Sequence, residues 1–250
     1  MDYYITRIRT IISRLRNMIR VRSFLSQNRN PVPSDPVIRQ FETRKGTVTI
    51  ISSCPSDVLE GLDIDAGLGF FWHNRPDLQR AALLRIAAYP LGRLTIAHSA
   101  ERKIVGYVTV TAPDTDTRWG RDHIEGLLEL GGIEVGRDWR GLGLSDALMK
   151  DTFGSSAFDK AIVIATGYRW CWDVESAGMT IREYRDMLHR VFQRYGFKFF
   201  ETDEPNIAWY PDNALVARIG PRVSAHLQAQ FKALLFERLG SDYASSEFLR

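Results

Sequence analysis

The stretch from Leu128 to Lys150, LELGGIEVGRDWRGLGLSDALMK, constrains this chain more than any other. Apolar residues alternate with small or acidic ones through Leu130, Ile133 and Val135, and Leu144, Ala147 and Leu148 follow at helical spacing. A strand therefore runs into a helix. Between them lies Arg140-Gly141-Leu142-Gly143-Leu144-Ser145. Two glycines there lack the Cβ that keeps a ligand off the backbone, and the first-turn N–H groups of the helix have no intrahelical partner. The segment reads as a binding site for an anionic phosphate group.

Two common phosphate loops do not fit. A dinucleotide loop needs a third glycine where this chain has Asp146, and an acidic residue about 20 positions later, where the apolar run Ala161 to Ala165 stands. A P-loop needs Gly-Lys-Ser/Thr, which does not follow.

Composition bounds the rest. A chain of 250 residues, 44% of them hydrophobic, buries a sizeable core. Its net charge of +3 is uneven: seven arginines against Asp2 give the first 30 residues +6, which leaves −3 on the other 220. Basicity is local to the N-terminus, so the main domain is not expected to bind nucleic acid. Cys54 and Cys171 are too few for a disulfide framework, and the five histidines stand far apart. No run approaches the roughly 18 apolar residues of a membrane span, and arginines interrupt the N-terminus too often for a signal peptide. The expectation is a reduced, cytoplasmic chain without a metal.

Three segments are expected. In residues 1–36, Ile5, Ile8, Ile12, Leu15 and Ile19 recur at spacings of three and four with arginines mostly off that stripe, and a proline-rich linker follows. This basic amphipathic arm suits a partner's groove, an anionic membrane surface or its own copy in a homodimer, or is a solvated appendage. Residues 37–240 form the main domain, and 241–250 a tail. Within the domain the pattern predicts a strand at Gly46 to Ser52, helices at Ser56 to Leu62 and Pro76 to Ala88, and a hairpin of Arg93 to His98 with Ile104 to Thr111. After the central strand and helix come a strand at Ala161 to Ala165, a helix at Thr180 to Tyr195 stopped by Gly196, strands at Phe197 to Phe200 and Leu215 to Ile219, and a helix at Val223 to Leu239. The aromatic run Tyr168, Trp170 and Trp172 reads as core; the loop Phe70 to His73 reads equally as core or as the mouth of an acceptor site.

The loop resembles the pyrophosphate loop of the GNAT superfamily of N-acetyltransferases, Arg or Gln, two residues, Gly, one residue, Gly or Ala. Arg140, Gly143 and Ser145 hold those places, the serine being a departure. The order of elements resembles the same fold, as does the closure Tyr195-Gly196-Phe197. ELGGIEV (Glu129 to Val135), YRWCWD (Tyr168 to Asp173), ETDEPNI (Glu201 to Ile207) and NALVARIG (Asn213 to Gly220), in that order, resemble the AcuA family of acetoin-utilisation proteins. The resemblance covers about Gly46 to Leu239. It implies an α/β (α+β) fold of the GNAT acyl-CoA N-acyltransferase type, with a mixed, mostly antiparallel central sheet flanked by helices. It further implies acetyl-CoA as co-substrate and acetyl-CoA synthetase as the protein acetylated on a lysine and switched off.

The chemistry needs a base, because a lysine with a pKa near 10.4 is about 99.9% ammonium at neutral pH and an ammonium cannot attack a thioester. The resemblance implies a carboxylate on the central strand as that base, with Glu129, eleven residues before Arg140, the first candidate and Glu134 the second. Simple alternation places Glu129, Gly131 and Ile133 on one face and Glu134 on the other, unless a bulge intervenes, so only one carboxylate is expected to face the acceptor. The resemblance implies that the backbone at Ile133, Glu134 and Val135 holds the pantetheine and polarises the thioester carbonyl, and that Arg140, Gly141, Leu142, Gly143, Leu144 and Ser145 hold the pyrophosphate. The tyrosine that often protonates the leaving thiolate is here Phe192, with Tyr168, Tyr184 and Tyr195 as substitutes, so no general acid is assigned. Two alternatives remain open: a weakly catalytic protein that binds the synthetase, and an acetyltransferase of small amines.

Overall fold

The computed structural model describes residues 35–69 and 75–237. The expected N-terminal helix, the loop tip Phe70 to His73 and the tail lie outside the described residues. The chain forms two compact units, one from residues 35–112 and 128–158 and one from 113–127 and 159–237.

In the first unit lie β1 (Val37–Thr43), β2 (Gly46–Ser52), α1 (Ser56–Glu60), β3 (Asp63–Ile64), α2 (Pro76–Ala88), β4 (Arg93–His98), β5 (Lys103–Thr111), β6 (Leu127–Val135) and α3 (Leu144–Phe153). The strands follow the order β1-β2-β4-β5-β6 with antiparallel neighbours, and β3 adds in parallel to β5. The sheet is mixed and mostly antiparallel, as expected. β1 is an addition to the expected strands. Val37 and Ile38 are exposed, so no buried stripe announces it. It is held by full pairing with β2 around the two-residue turn Arg44-Lys45, and by Arg39, whose guanidinium grips Asp151 of α3 at 2.9 to 3.2 Å.

The two sheet faces carry different helices. Ile51, Leu94, Ile96, Ile104 and Tyr107 pack with Leu59 of α1 and with Ala82, Leu83 and Ile86 of α2 in one buried cluster. α3 takes the other face, burying Leu144, Leu148 and Met149. A Cβ on Gly106 of β5 would stand 3.0 Å from Leu148 Cδ1, so this glycine lets α3 sit close on the sheet.

Cys54 belongs to the α1–α2 layer and is 3% exposed. Burial, helped by the negative charge of Asp57, pushes its thiol from 9.0 up to about 12. The folded state therefore keeps a proton that the unfolded chain releases near pH 9. Its contribution is whole below pH 9 and is lost as pH rises from about 9 to about 12. Denaturant midpoints of the wild type should fall across that window, and those of Cys54→Ala should fall less steeply.

In the second unit, β7 (Ile162–Gly167), β9 (Ala214–Ile219) and β8 (Lys198–Phe200) form an antiparallel set in that order, with α4 (Ile181–Arg194) and α5 (Ala225–Leu235). α4 opens on a capping box: the Thr180 hydroxyl accepts from the Glu183 N–H at 3.2 Å, and the Glu183 carboxylate accepts from the Thr180 N–H at 2.8 Å. Gly196, at φ +81°, follows its end. Ser224 caps α5, which buries Leu227, Phe231, Leu234 and Leu235; its expected end at Leu239 lies outside the described residues. The apolar face of α4 is half-buried at Ile181, Tyr184, Leu188, Val191 and Phe192.

Candidate active site

β6 does not alternate simply. Thr109 of β5 stands opposite Gly132, and Val110 opposite Leu130, so Gly131 is an extra residue on β6. This is a β-bulge. Directly opposed residues of antiparallel strands share a face. Glu129 opposite Thr111, Gly132 opposite Thr109 and Glu134 opposite Tyr107 therefore lie on one face, the face of Leu94 and Ile96. The expectation from alternation, that the two glutamates face opposite ways, is corrected: the bulge shifts the parity by one between them.

Their surroundings separate them. Both oxygens of Glu134 are engaged, Oε1 by the Gly69 N–H at 2.7 Å and Oε2 by the Tyr107 hydroxyl at 2.5 Å. The Tyr107 hydroxyl in turn accepts from Gln79 Nε2 at 2.8 Å, and both residues are fully buried. Burial, reinforced by the charge and hydrogen bond of Glu134, holds the Tyr107 phenol well above its ordinary value. Tyr107 keeps its proton and donates. Glu134 and Tyr107 thus tie α2, β5 and β6 to Gly69. Glu129 is 6% exposed and sits at the other side of the bulge. Sequence reasoning missed Gln79 and Tyr107. Their signal was available for Tyr107, where the strand KIVGYVTVT puts Tyr107, Thr109 and Thr111 on one face.

Past β6, a 3-10 turn (Arg137–Trp139) reverses the chain, and Arg140 Nε donates to the Val135 carbonyl at 3.3 Å. Gly141 and Gly143 have φ of +70° and +77°. A Cβ on Gly141 would meet nothing within 4 Å, and one on Gly143 only Phe41 Cζ at an ordinary 3.7 Å. Glycine is required here for its left-handed backbone rather than for room inside the protein. Gly143 is the N-cap of α3, and no side chain caps the helix. The first-turn N–H groups and the positive end of the helix dipole are left for an outside acceptor, which suits a phosphate.

The second unit holds the other expected residues. Tyr168 stacks on Trp170 at 4.9 Å between ring centroids, and Tyr184 on Trp172 at 5.7 Å. These rings are half-buried rather than deep core. Phe192 lines a shallow pocket with Gly167, Trp172, Leu188 and His189. His189 Nε2 has no hydrogen-bond partner among the described residues, and burial and the charge of Arg185 lower its pKa. Among the described residues no group of three or more His, Cys, Asp or Glu side chains could hold a metal ion. No helix among them is long and apolar enough to cross a membrane.

No protein-family model matches the chain. It is 36% identical over 196 residues to the acetoin utilization protein AcuA of Bacillus subtilis strain 168, covering 78% of this chain and 92% of that protein. It is also 36% identical over 198 residues to the AcuA of Bacillus licheniformis, covering 79% and 93%. Its structure is similar to the crystal structure of an acetoin utilization protein from Exiguobacterium sibiricum 255-15, with TM-score 0.78, 34% identity, and coverage of 82% of this chain and 96% of that one.

Proposed function

From the premise that the chain belongs to the AcuA family of acetoin utilization proteins, with the GNAT N-acetyltransferase fold, we propose that it acetylates a lysine of acetyl-CoA synthetase and so inactivates it. N-acetyl transfer is the activity of that fold family; the acetyl donor, the lysine acceptor and the synthetase are the proposal. One observation carries it: a buried carboxylate, Glu129, at the bulge of the strand that leads into an uncapped helix N-terminus.

In this reading the backbone of Arg140 to Ser145 holds the pyrophosphate of acetyl-CoA. Ser145 keeps the small size that the place needs. The backbone at Ile133 to Val135 lies along the pantetheine, and the N–H groups of Glu134 and Val135 polarise the thioester carbonyl. Glu129 takes a proton from the lysine ammonium, and Glu134 holds the loop that leads to the acceptor side. Gly143→Ala is expected to cost about 1 kcal/mol of stability through its left-handed backbone. It should weaken acetyl-CoA binding roughly tenfold in calorimetry, a loss of about 1.4 kcal/mol.

The synthetase reading is tested by the synthetase's own activity. Incubation with this chain and acetyl-CoA together should abolish it, and incubation with either alone should not. Inhibition by the chain without acetyl-CoA would instead favour gating by complex formation, a reading kept by Phe192 in place of the usual tyrosine.

A further inference from the structure

Thr109 has no exposed surface, and its Oγ1 has no hydrogen-bond partner among the described residues. A hydroxyl enclosed by protein and left unpaired is unfavourable, so such groups mark the place of a water or a ligand atom. Its position is specific. Thr109 stands opposite Gly132 at the bulge, on the face shared by Glu129 and Glu134. A Cβ on Gly131 would come within 3.1 Å of Thr109 Oγ1, so the bulge glycine keeps a carbon off the hydroxyl. The strip runs from Glu129 and Thr111 through Thr109 and Gly132 to Tyr107 and Glu134.

We propose that Thr109 holds the water through which Glu129 receives the acceptor's proton. This rests on the acetyltransferase reading above and adds a positioning residue to it. Thr109 and Glu129 are diagonal neighbours across the pair, and Thr109 Oγ1 makes no direct hydrogen bond to the carboxylate. A water with two bonds of about 2.8 Å each spans the gap between their oxygens. Glu134 is instead held by the Gly69 N–H and the Tyr107 hydroxyl, one on each oxygen. The water gives a proton to the Glu129 carboxylate and takes one from the lysine ammonium. The freed amine forms the C–N bond to the thioester carbonyl, the C–S bond breaks, and the departing thiolate takes up the second amine proton. No other reactant is needed.

The test compares wild type, Thr109→Val, Thr109→Ser and Gly131→Ala in acetyl transfer to purified acetyl-CoA synthetase. Thr109→Val keeps the shape and removes the hydroxyl. It should lower kcat about tenfold to a hundredfold, leave KM for acetyl-CoA unchanged and change the solvent deuterium isotope effect. Thr109→Ser should stay within about threefold of wild type, and Gly131→Ala, whose methyl would stand 3.1 Å from Thr109 Oγ1, should behave like Thr109→Val. A Thr109→Val enzyme with wild-type kcat overturns the proposal. So does an equal loss in Thr109→Ser and Thr109→Val with a raised KM, which would mark a packing role. A wild-type chain that binds acetyl-CoA but transfers nothing overturns the acetyltransferase reading itself, a result distinct from either.

Discussion

Glu129→Gln is expected to lower the rate of acetyl transfer about 10²- to 10⁴-fold while leaving acetyl-CoA affinity within about twofold of wild type. The substitution keeps size and hydrogen-bonding capacity but cannot accept a proton at neutral pH. The acceptor remains almost wholly ammonium without a base, so the loss falls on kcat. The phosphate loop is more than ten residues away along the chain and its backbone is untouched. Glu134→Gln is the informative contrast. It removes a charge from a carboxylate whose two oxygens are occupied by the Gly69 N–H and the Tyr107 hydroxyl. Its effect should appear as lost stability and a raised acceptor KM more than as lost chemistry. Stopped-flow or continuous thiol-release assays at varied acceptor concentration separate the two, since Glu129→Gln should lose kcat and Glu134→Gln should raise the acceptor KM.

The second large effect is on stability and centres on Arg118. Its side chain is 10% exposed in the second unit, in the segment between β5 and β6. It pairs with Asp203 and reaches Glu237 at 3.4 Å. It also lies 3.3 to 3.4 Å from the Thr202 hydroxyl and from the carbonyls of Leu234 and Leu235, where α5 ends. The Leu235 carbonyl also accepts from the Asp203 N–H at 3.0 Å and the Thr202 hydroxyl at 2.7 Å, so the guanidinium is one member of a shared network that closes the end of α5. Removing it takes from the half-buried Asp203 carboxylate its cation and from the Leu234 carbonyl a donor. Arg118→Leu should therefore destabilise the protein by about 3–5 kcal/mol, measured as a drop in the denaturant midpoint at unchanged slope. The exposed surface pair Arg75–Asp77 is the control: Arg75→Ala should leave the denaturant midpoint nearly unchanged.

The most legible part of this protein was the strand, loop and helix from Leu128 to Lys150, because a change of apolar period and two glycines mark it without help from distant contacts. The helix caps were legible too, as Thr180 with Glu183 and Gly196 turned out to be a capping box and a left-handed stop. The bulge was harder. Gly131 and Gly132 have no side chains to count, so the alternation of LELGGIEV is silent at the one place where it breaks. That silence hid the shared face of Glu129 and Glu134. The binding of Glu134 by Tyr107 and Gly69 was illegible for another reason: its partners are 27 and 65 residues away in sequence. β1 was missed because its apolar residues face outward and its order comes from pairing and from the Arg39–Asp151 bridge.

The most direct test of the account is intact-mass spectrometry of purified acetyl-CoA synthetase after incubation with the full chain and acetyl-CoA, beside Glu129→Gln. The account predicts that the synthetase gains one acetyl group with the wild type and none, over the same time, with Glu129→Gln. An unchanged synthetase mass with the folded wild type, or an equal gain with both proteins, would contradict it.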